Sequence, residues 1–255
     1  MFTYACGATT DKGDLRAENQ DSVLILTGTF EGQDAALLVV ADGMGGLSYG
    51  AQVSRYITEQ FEYWWREDFP SMVKVGMESD EDIRELLEQE IWDINQAIFQ
   101  FKERLRCRTG STLSLLLLYG SRYYIENIGD SRVYRLQAGS LQQLTQDQSL
   151  IAKMMKEQGI SEEEAERSNV KNVLTMCVGM FPVPKSCFRT GKISDGDCFL
   201  LCSDGFYHPL SRGQIAEVLG RQDMSPQQKA QHLRQMIGRG KASDNVSAII
   251  AEVQG

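Results

Sequence analysis

The sequence predicts an α+β protein in which mostly antiparallel sheets pack together and helices cover their outer faces. Short apolar strands outnumber helical segments, hairpin signals join most of the strands, and the helices come in pairs. The 255 residues include only five prolines and show no repeat, low-complexity tract or linker. A single domain over residues 1–255 is therefore expected.

The first third of the chain is predicted to form a hairpin followed by two helices. Apolar runs over residues 22–30 and 35–41 flank a Glu-Gly-Gln-Asp segment, which is typical of a hairpin turn. The sequence Gly43-Met44-Gly45-Gly46 is predicted to end the second strand. Apolar residues then recur every three or four positions, which predicts helices over 49–69 and 81–106.

The rest of the chain is predicted to combine a strand meander with short helices, because turn-forming clusters separate its apolar runs. The expected strands cover residues 111–119, 122–128, 132–136, 141–144, 185–193, 198–203 and 245–253. One helix is expected over 148–158, and three more are expected to begin at Ser161, Ser211 and Ser225. Ser161 and Ser211 each open a capping box, and Pro226 suits a first helical position.

The charge balance excludes some partners. Acidic residues outnumber basic ones, 35 to 26, which gives a net charge of −9 and an isoelectric point near 4.9. A protein that binds nucleic acid or an anionic membrane would need a basic face, so neither partner is expected.

No apolar run approaches the roughly 20 residues that span a bilayer, and the first residues lack a secretory signal pattern. The six cysteines form no C-x-x-C pair, so a cytoplasmic protein without a Cys/His zinc site is expected.

Five aspartates stand where predicted strands begin or end. Asp42, Asp130 and Asp204 follow apolar strands, whereas Asp21 and Asp244 come just before them. Each one alone is more often turn chemistry than a metal ligand. Together they would crowd one rim of the sheets and repel one another unless a cation lay among them. Oxygen ligands without paired His or Cys favour Mg²⁺ or Mn²⁺, and two such ions would bind phosphoryl oxygens.

Seven short motifs follow one another along essentially the whole chain. They are Arg16-Ala17-Glu18-Asn19-Gln20-Asp21, Asp42-Gly43-Met44-Gly45-Gly46, Gly110-Ser111-Thr112, Asn127-Ile128-Gly129-Asp130-Ser131-Arg132, Leu144-Thr145-Gln146-Asp147, Leu200-Leu201-Cys202-Ser203-Asp204-Gly205 and Asp244-Asn245-Val246-Ser247. In this order they resemble the motifs of the metal-dependent Ser/Thr protein phosphatases of type 2C, the PPM family, in its bacterial branch. Each motif is weak alone, whereas the ordered set is specific.

The resemblance implies a four-layer αββα sandwich, with two central, mostly antiparallel sheets flanked by helix pairs. It implies hydrolysis of phosphoserine and phosphothreonine on proteins by direct attack of a metal-bridging hydroxide, without a covalent intermediate. The implied cofactors are two Mn²⁺ or Mg²⁺ ions, with a third ion as in bacterial relatives. The implied partners are phosphorylated proteins and a Ser/Thr kinase that the enzyme opposes, and a monomer is expected.

The resemblance also assigns metal ligands. Asp42 would bridge two ions, with the Gly43 carbonyl and Asp21 on one side of the pair, partly through water. Asp204 and Asp244 would bind the other ion.

Further roles follow from the same resemblance. Asp130, together with Asp204, would bind the third ion. Arg16 resembles the arginine that holds the substrate phosphate, since its planar fork suits two phosphate oxygens. The alternative for Arg16 is a solvated surface arginine. Gly45 and Gly46 would let the backbone pass closely under the ions.

Three positions depart from the family pattern. Met44 replaces the His of the eukaryotic branch, Gln148 replaces a common His, and Met176 replaces a frequent Arg. The two histidines, His208 and His232, lie outside the metal motifs. A metal-bound water, rather than an imidazole, is therefore predicted to protonate the leaving alkoxide.

Some alternatives stay open on the sequence alone. Segment 151–172 corresponds to the variable flap of bacterial relatives, and it could either select substrates or be a solvated surface helix. The alternative function is a non-catalytic pseudophosphatase or regulatory binding protein of the same fold. Such proteins usually lose metal aspartates, and none is lost here. A further alternative, within the enzyme class, is a branch devoted to anti-sigma-antagonist signalling.

Overall fold

The computed structural model describes residues 1–44, 49–77, 79–161, 164, 168, 170, 173–238 and 240–255. In this part of the chain the strands are β1 (Thr3–Asp11), β2 (Asp21–Phe30), β3 (Gln33–Met44), β4 (Gly110–Ser111), β5 (Leu113–Tyr119), β6 (Arg122–Ile128), β7 (Arg132–Gln137), β8 (Ser140–Gln143), β9 (Cys187–Lys192), β10 (Cys198–Cys202) and β11 (Val246–Gln254). The helices are α1 (Gly50–Lys74), α2 (Asp80–Leu105), α3 (Leu150–Gln158), α4 (Asp204–Tyr207), α5 (Arg212–Leu219) and α6 (Pro226–Ile237). None of these helices is both long enough and apolar enough to span a bilayer.

The strands form two antiparallel sheets that lie face to face. One sheet has the order β1-β11-β10-β7-β8, and the other has the order β2-β3-β5-β6-β9 with β4 beside β3. Helices α1 and α2 pack on the outer face of the second sheet, and α5 and α6 pack on the outer face of the first. The predicted α+β class and the αββα sandwich are therefore confirmed.

Strand β3 lies inside the sandwich and is buried on both faces. Ala36, Leu38 and Val40 face the other sheet, and the residues between them face the α1–α2 layer. Because side chains alternate along a strand, a strand buried on both faces requires a continuous apolar run. The same strand continues without a break to Asp42, which therefore sits on a firmly packed element.

Reciprocal hydrogen bonds fix the start of three helices. They join Ser79 and Asp82 at α2, Ser211 and Gln214 at α5, and Ser225 and Gln228 at α6. The predicted helix starts at Ser211 and Ser225 are thereby confirmed. Ser161 and Glu164 exchange the same kind of bonds. The rest of the helix predicted there lies outside the described residues. So do most of residues 162–172, the second half of the flap segment 151–172.

Strand β3 ends at Met44, inside the motif that is predicted to end it, but Gly43 and Met44 extend the strand beyond the predicted apolar run over 35–41. Strand β3 continues through both residues because they pair with β4. A two-residue partner strand is too short to leave a periodic signal in the sequence. Gly45 and Gly46 lie outside the described residues.

Two elements carry no clear signal in the sequence. Strand β1 pairs with β11 along its whole length, but its small and polar residues resemble those of a loop. Helix α4 is a single turn directly after β10. In addition, α1 extends past the predicted end at residue 69, through Pro70, to Lys74.

Replacing Gly7 of β1 with alanine should destabilise the fold. The added Cβ would lie 2.2 Å from the backbone nitrogen of Gln227 at the start of α6. Overpacking of this kind costs about 1–3 kcal/mol. Gly213 in α5 is the matched control, because a Cβ there would meet only the Ser211 hydroxyl, at 3.9 Å. Urea unfolding should show a loss for Gly7→Ala and a gain of up to about 1 kcal/mol for Gly213→Ala. Equal losses in the two variants would contradict this packing.

Candidate metal centre

Two of the five aspartates face each other across a strand pair. The register of β2 and β3 places Asp21 directly opposite Asp42. Side chains in this relation have Cβ atoms about 4.5–5.5 Å apart, and like charges there are destabilising. The hairpin turn at Glu31 and Gly32, both with positive φ, fixes this register. The local sequence therefore brings two carboxylates together at an electrostatic cost.

The other three aspartates follow or precede strands at the same edge of the sandwich. Asp130 lies in the turn between β6 and β7, and Asp204 is the first residue of α4 after β10. Asp244 comes two residues before β11. Because β10 and β11 are neighbours, their connecting segments bring Asp204 and Asp244 close together.

The pKa values of these carboxyl groups reflect their burial and, after that, their proximity to one another. Burial, and then the charges of Asp21, Asp204, Asp130 and Asp244, raise the pKa of Asp42 well above its usual range. Burial raises the pKa of Asp21 to about 7, with added repulsion from Asp204 and Asp244. Burial and the charge of Asp204 raise the pKa of Asp130 to about 7. The pKa of Asp204 rises to about 6, through burial and the charge of Asp244.

The donor set fits a hard divalent cation. Oδ1 of Asp21 and Oδ1 of Asp204 are buried and have no hydrogen-bond partner among the described residues. Buried carboxylate oxygens without a partner are costly unless a cation compensates them. All the candidate side-chain donors are carboxylate oxygens, which Mg²⁺ and Mn²⁺ prefer.

The carboxylates are close to one another but do not converge on a single point. Within the described ranges, no group of three or more His, Cys, Asp or Glu side chains is gathered so that it could hold an ion as it stands. Mutual repulsion opposes such a gathering. An ion pair also opposes it, because Nη2 of Arg16 donates to Oδ2 of Asp244 at 2.5 Å. Before Asp244 could bind a cation, its ion pair with Arg16 would therefore have to open.

Arg16 lies beside the cluster on a loop that the C-terminal segment holds. Its side chain is 53% exposed, and the hydrogen bond to Asp244 raises its pKa. Asn245 accepts a hydrogen bond from the Gln20 backbone N–H and donates to the Glu18 carbonyl oxygen. Two motifs from opposite ends of the sequence thus fix each other's position.

A serine pair connects the two sheets at Asp21. The Ser203 hydroxyl donates to Oδ2 of Asp21 at 2.9 Å, and the Ser247 backbone N–H donates to the Ser203 hydroxyl at 3.1 Å. Asp21 belongs to one sheet, whereas Ser247 lies in β11 of the other sheet and Ser203 directly follows β10 of that sheet. The hydrogen bond therefore fixes one carboxylate relative to the facing sheet.

Thr112 joins the segments that carry Asp42 and Asp130. Its hydroxyl accepts a hydrogen bond from the Asp42 backbone N–H at 3.0 Å and lies 2.7 Å from the Ser131 hydroxyl. Gly129 has φ +101°, and a Cβ there would lie 2.7 Å from the Thr112 side chain. This position therefore requires glycine both for its conformation and for its close approach.

Asp130 is held from its other side by an aromatic and ionic cluster. The Tyr207 hydroxyl donates to the Asp130 carbonyl oxygen at 3.2 Å. The Arg132 guanidinium lies 3.7 Å from the centre of the Tyr207 ring. Its Nε and Nη2 groups donate hydrogen bonds to the Asp147 carboxylate, the shortest being 2.6 Å. The Arg132–Asp147 pair thus fixes the ring that anchors Asp130.

Comparison with known proteins identifies the family. Residues 15–244 match the family model described as protein phosphatase 2C. The chain belongs to this family. A serine/threonine phosphatase of Listeria welshimeri is 30% identical over 95% of this chain and 93% of its own length. The phosphatase PstP of Mycobacterium tuberculosis is 32% identical over 99% of this chain, which spans 45% of that relative.

This member of the protein phosphatase 2C family shares its fold with solved phosphatase structures. The S. agalactiae serine/threonine phosphatase superposes with a TM-score of 0.86 at 26% identity, over 98% of this chain and 99% of that one. The catalytic domain of PstP, in complex with two manganese ions, superposes with a TM-score of 0.82 at 29% identity over the full length of both chains. The resemblance to bacterial PPM phosphatases is therefore confirmed.

The three departures from the 2C pattern have different structural settings. Met176 is buried in the core beneath the α1–α2 layer. Met44 pairs through its backbone with β4 and has no titratable side chain. The Gln148 side chain accepts a hydrogen bond from the Gly129 backbone N–H and donates one to the Lys185 carbonyl oxygen. The backbone N–H of Gln148 donates to the Gly129 carbonyl oxygen. Gln148 thus supports the turn that carries Asp130.

The sequence alone assigns no role to three residues that support the site, namely Thr112, Ser203 and Asn245. They lie within the family motifs, but Ser, Thr and Asn at strand ends are also ordinary turn chemistry. Their positions inside the motifs are the signal that could have identified them.

The metal-free protein should lose stability as the pH rises from 5 to 8. The carboxyls of Asp21, Asp130 and Asp204 have folded-state pKa values of about 7, 7 and 6, against roughly 4 in an unfolded chain. The folded state therefore binds more protons within this window, and the free energy of unfolding falls as the protons leave. Thermal melts in excess chelator should show the decrease, at about 2–4 °C per kcal/mol.

Asp42→Asn provides the matched variant for these melts. Removing one repelling charge should raise the melting temperature of the chelated protein at pH 8 above that of the unsubstituted protein. Added Mn²⁺ should then stabilise the variant less than the unsubstituted protein. The exposed Glu59→Gln serves as the charge control. A melting temperature in chelator that does not fall with pH would contradict the raised pKa values of these carboxyls.

Proposed function

We propose that the protein is a metal-dependent phosphatase that hydrolyses phosphoserine and phosphothreonine on other proteins. The observation that carries the proposal is the cluster of five carboxylates, two of them with buried unpaired oxygens, beside a half-exposed arginine. Family membership supports it, since the Listeria and Mycobacterium relatives are named serine/threonine phosphatases. The carboxylates alone would repel a phosphate, so the activity requires cations.

The proposed ligands are the residues indicated by the family motifs. Asp42 would contact both ions of a pair, with Asp21 and the Gly43 carbonyl on one side and Asp204 and Asp244 on the other. Mn²⁺ or Mg²⁺ suits these oxygen donors, and two manganese ions are present in the PstP structure. When bound, such ions supply a hydroxide nucleophile at neutral pH and offset the charge of the phosphoryl group.

Asp130 and Arg16 would complete the site. Asp130, together with Asp204, would bind a third ion, and the effect of the Asp204 charge on the Asp130 carboxyl supports this pairing. Arg16 would orient the substrate phosphate through its planar fork once its contact with Asp244 opens. Met44 cannot donate a proton, so the leaving alkoxide would receive its proton from water rather than from this side chain.

The physiological setting is also a proposal. The phosphorylated substrates would include the targets of a Ser/Thr kinase that this phosphatase opposes, and that kinase itself is a candidate substrate. All six cysteines are free thiols, which supports a cytoplasmic location. We propose that residues 1–255 act as one catalytic domain. The alternative of a non-catalytic protein is not favoured by any described residue.

The direct test is hydrolysis of a phosphothreonine peptide. The protein should release phosphate in Mn²⁺ and lose this activity in excess chelator. Asp42→Asn should lower kcat/KM by roughly 100-fold or more, because a proposed shared ligand is lost. Glu59→Gln, at an exposed position of α1, should leave kcat/KM unchanged. Activity that survives chelation, or that survives in Asp42→Asn, would refute the proposed site.

A further inference from the structure

The two helices that cover the six-stranded sheet leave a groove between them. It lies between the C-terminal half of α1 and the N-terminal half of α2 and has a volume of about 520 Å³. Its lining includes three apolar or aromatic residues and three acids, namely Trp64, Met72, Leu86, Asp68, Glu90 and Asp93. Trp64 and Met72 are buried whereas Asp68 and Asp93 are exposed, so the groove is apolar at its base and acidic at its rim.

The groove is remote from the carboxylate cluster. Helix α1 begins at Gly50, whose carbonyl oxygen would lie 2.2 Å from a Cβ placed on Gly43. The lining residues Trp64 and Met72 are 14 and 22 residues further along the same helix. At 1.5 Å per residue, this corresponds to about 21–33 Å along the helix axis. A molecule in the groove would therefore not occupy the candidate metal centre.

The three acids of the groove lack cationic partners. None of Asp68, Glu90 and Asp93 forms an ion pair within the described residues, whereas Glu62 and Glu88 on the same two helices do. Burial raises the pKa of Glu90 to about 7, and the charges of Asp68 and Asp93 add to this effect. Three acids held near one another without a base favour binding of a cation.

A buried donor at the base of the groove also lacks a partner. Trp64 is 2% exposed, and its indole N–H has no acceptor among the described residues. An unpaired buried donor destabilises the fold, and a rotation of the ring toward the groove would let an acceptor from a bound molecule remove that cost. This observation is independent of the acidic charges, because it calls for an acceptor rather than a cation.

We propose that this groove binds a segment of a partner protein in which basic and apolar side chains alternate. A Lys or Arg side chain would lie among Asp68, Glu90 and Asp93, and an apolar side chain would pack on Met72. A backbone carbonyl would accept from the Trp64 indole N–H once the ring turns toward the groove. A second copy of this chain is a poor occupant, since each copy carries a net charge of −9.

The test measures binding to the full-length protein and needs no catalytic activity. The probe is a fluorescein-labelled, capped hexapeptide of alternating Arg and Leu, with an alternating Glu and Leu peptide as its control. Fluorescence anisotropy should show binding of the Arg peptide only. The double variant Asp68→Asn/Asp93→Asn should weaken that binding by tenfold or more. Glu59→Gln/Glu85→Gln removes two exposed charges from the same helices and should weaken it less than twofold.

A second measurement separates the groove from general charge attraction. The side-chain ¹H–¹⁵N spectrum should contain three tryptophan signals, and Trp64→Phe identifies the Trp64 signal by its loss. The Arg peptide should shift that signal in the unsubstituted protein. An unshifted Trp64 signal, or equal loss of binding in the two double variants, would overturn the proposal.

Dimerisation in light scattering that Asp68→Asn/Asp93→Asn abolishes would also overturn it, because the groove would then be a self-interface. Hydrolysis of p-nitrophenyl phosphate should be the same in both double variants.

Discussion

Repulsion among buried carboxylates is the interaction on which the rest of this structure depends. Asp21 and Asp42 are cross-strand partners, and Asp130, Asp204 and Asp244 crowd the same edge. Such an arrangement opposes folding, because neighbouring negative charges in a dry environment raise one another's energy. A protein keeps it only if another charge compensates. In the described structure Arg16 compensates in part by pairing with Asp244, and divalent cations would complete the compensation.

The scaffold resists this repulsion by fixing each acid from the backbone. Packed strands set the Asp21–Asp42 register. The Ser203 hydroxyl donates a hydrogen bond to the Asp21 carboxylate, and the Thr112 hydroxyl accepts one from the Asp42 backbone N–H, so both acids are also held by neighbouring segments. Asn245 fixes the loop that carries Arg16. Because packing and hydrogen bonds fix the backbone at each acid, cation binding would call on side chains rather than strands to move. The sandwich therefore acts as a rigid frame for charges that would otherwise separate.

Much of this architecture could be predicted from the sequence, because strong periodicity marks α1, α2 and the central strands. Strand β1 could not, since its small residues are stabilised by pairing with β11 at the other end of the chain. The extension of β3 through Met44 depends on the short β4, which is equally non-local. The aspartates stood out in the sequence, whereas Asn245 did not, because its role depends on contacts with residues more than 200 positions away.

The central claim is that bound cations change this site from one that repels anions to one that attracts them. The most direct measurement is binding of a non-hydrolysable phosphonate analogue of a phosphothreonine peptide, by calorimetry, in excess chelator and in saturating Mn²⁺. We expect clear binding with Mn²⁺ and very weak binding in chelator, because the bare carboxylates repel the phosphonate. Equal affinity in the two conditions would contradict it.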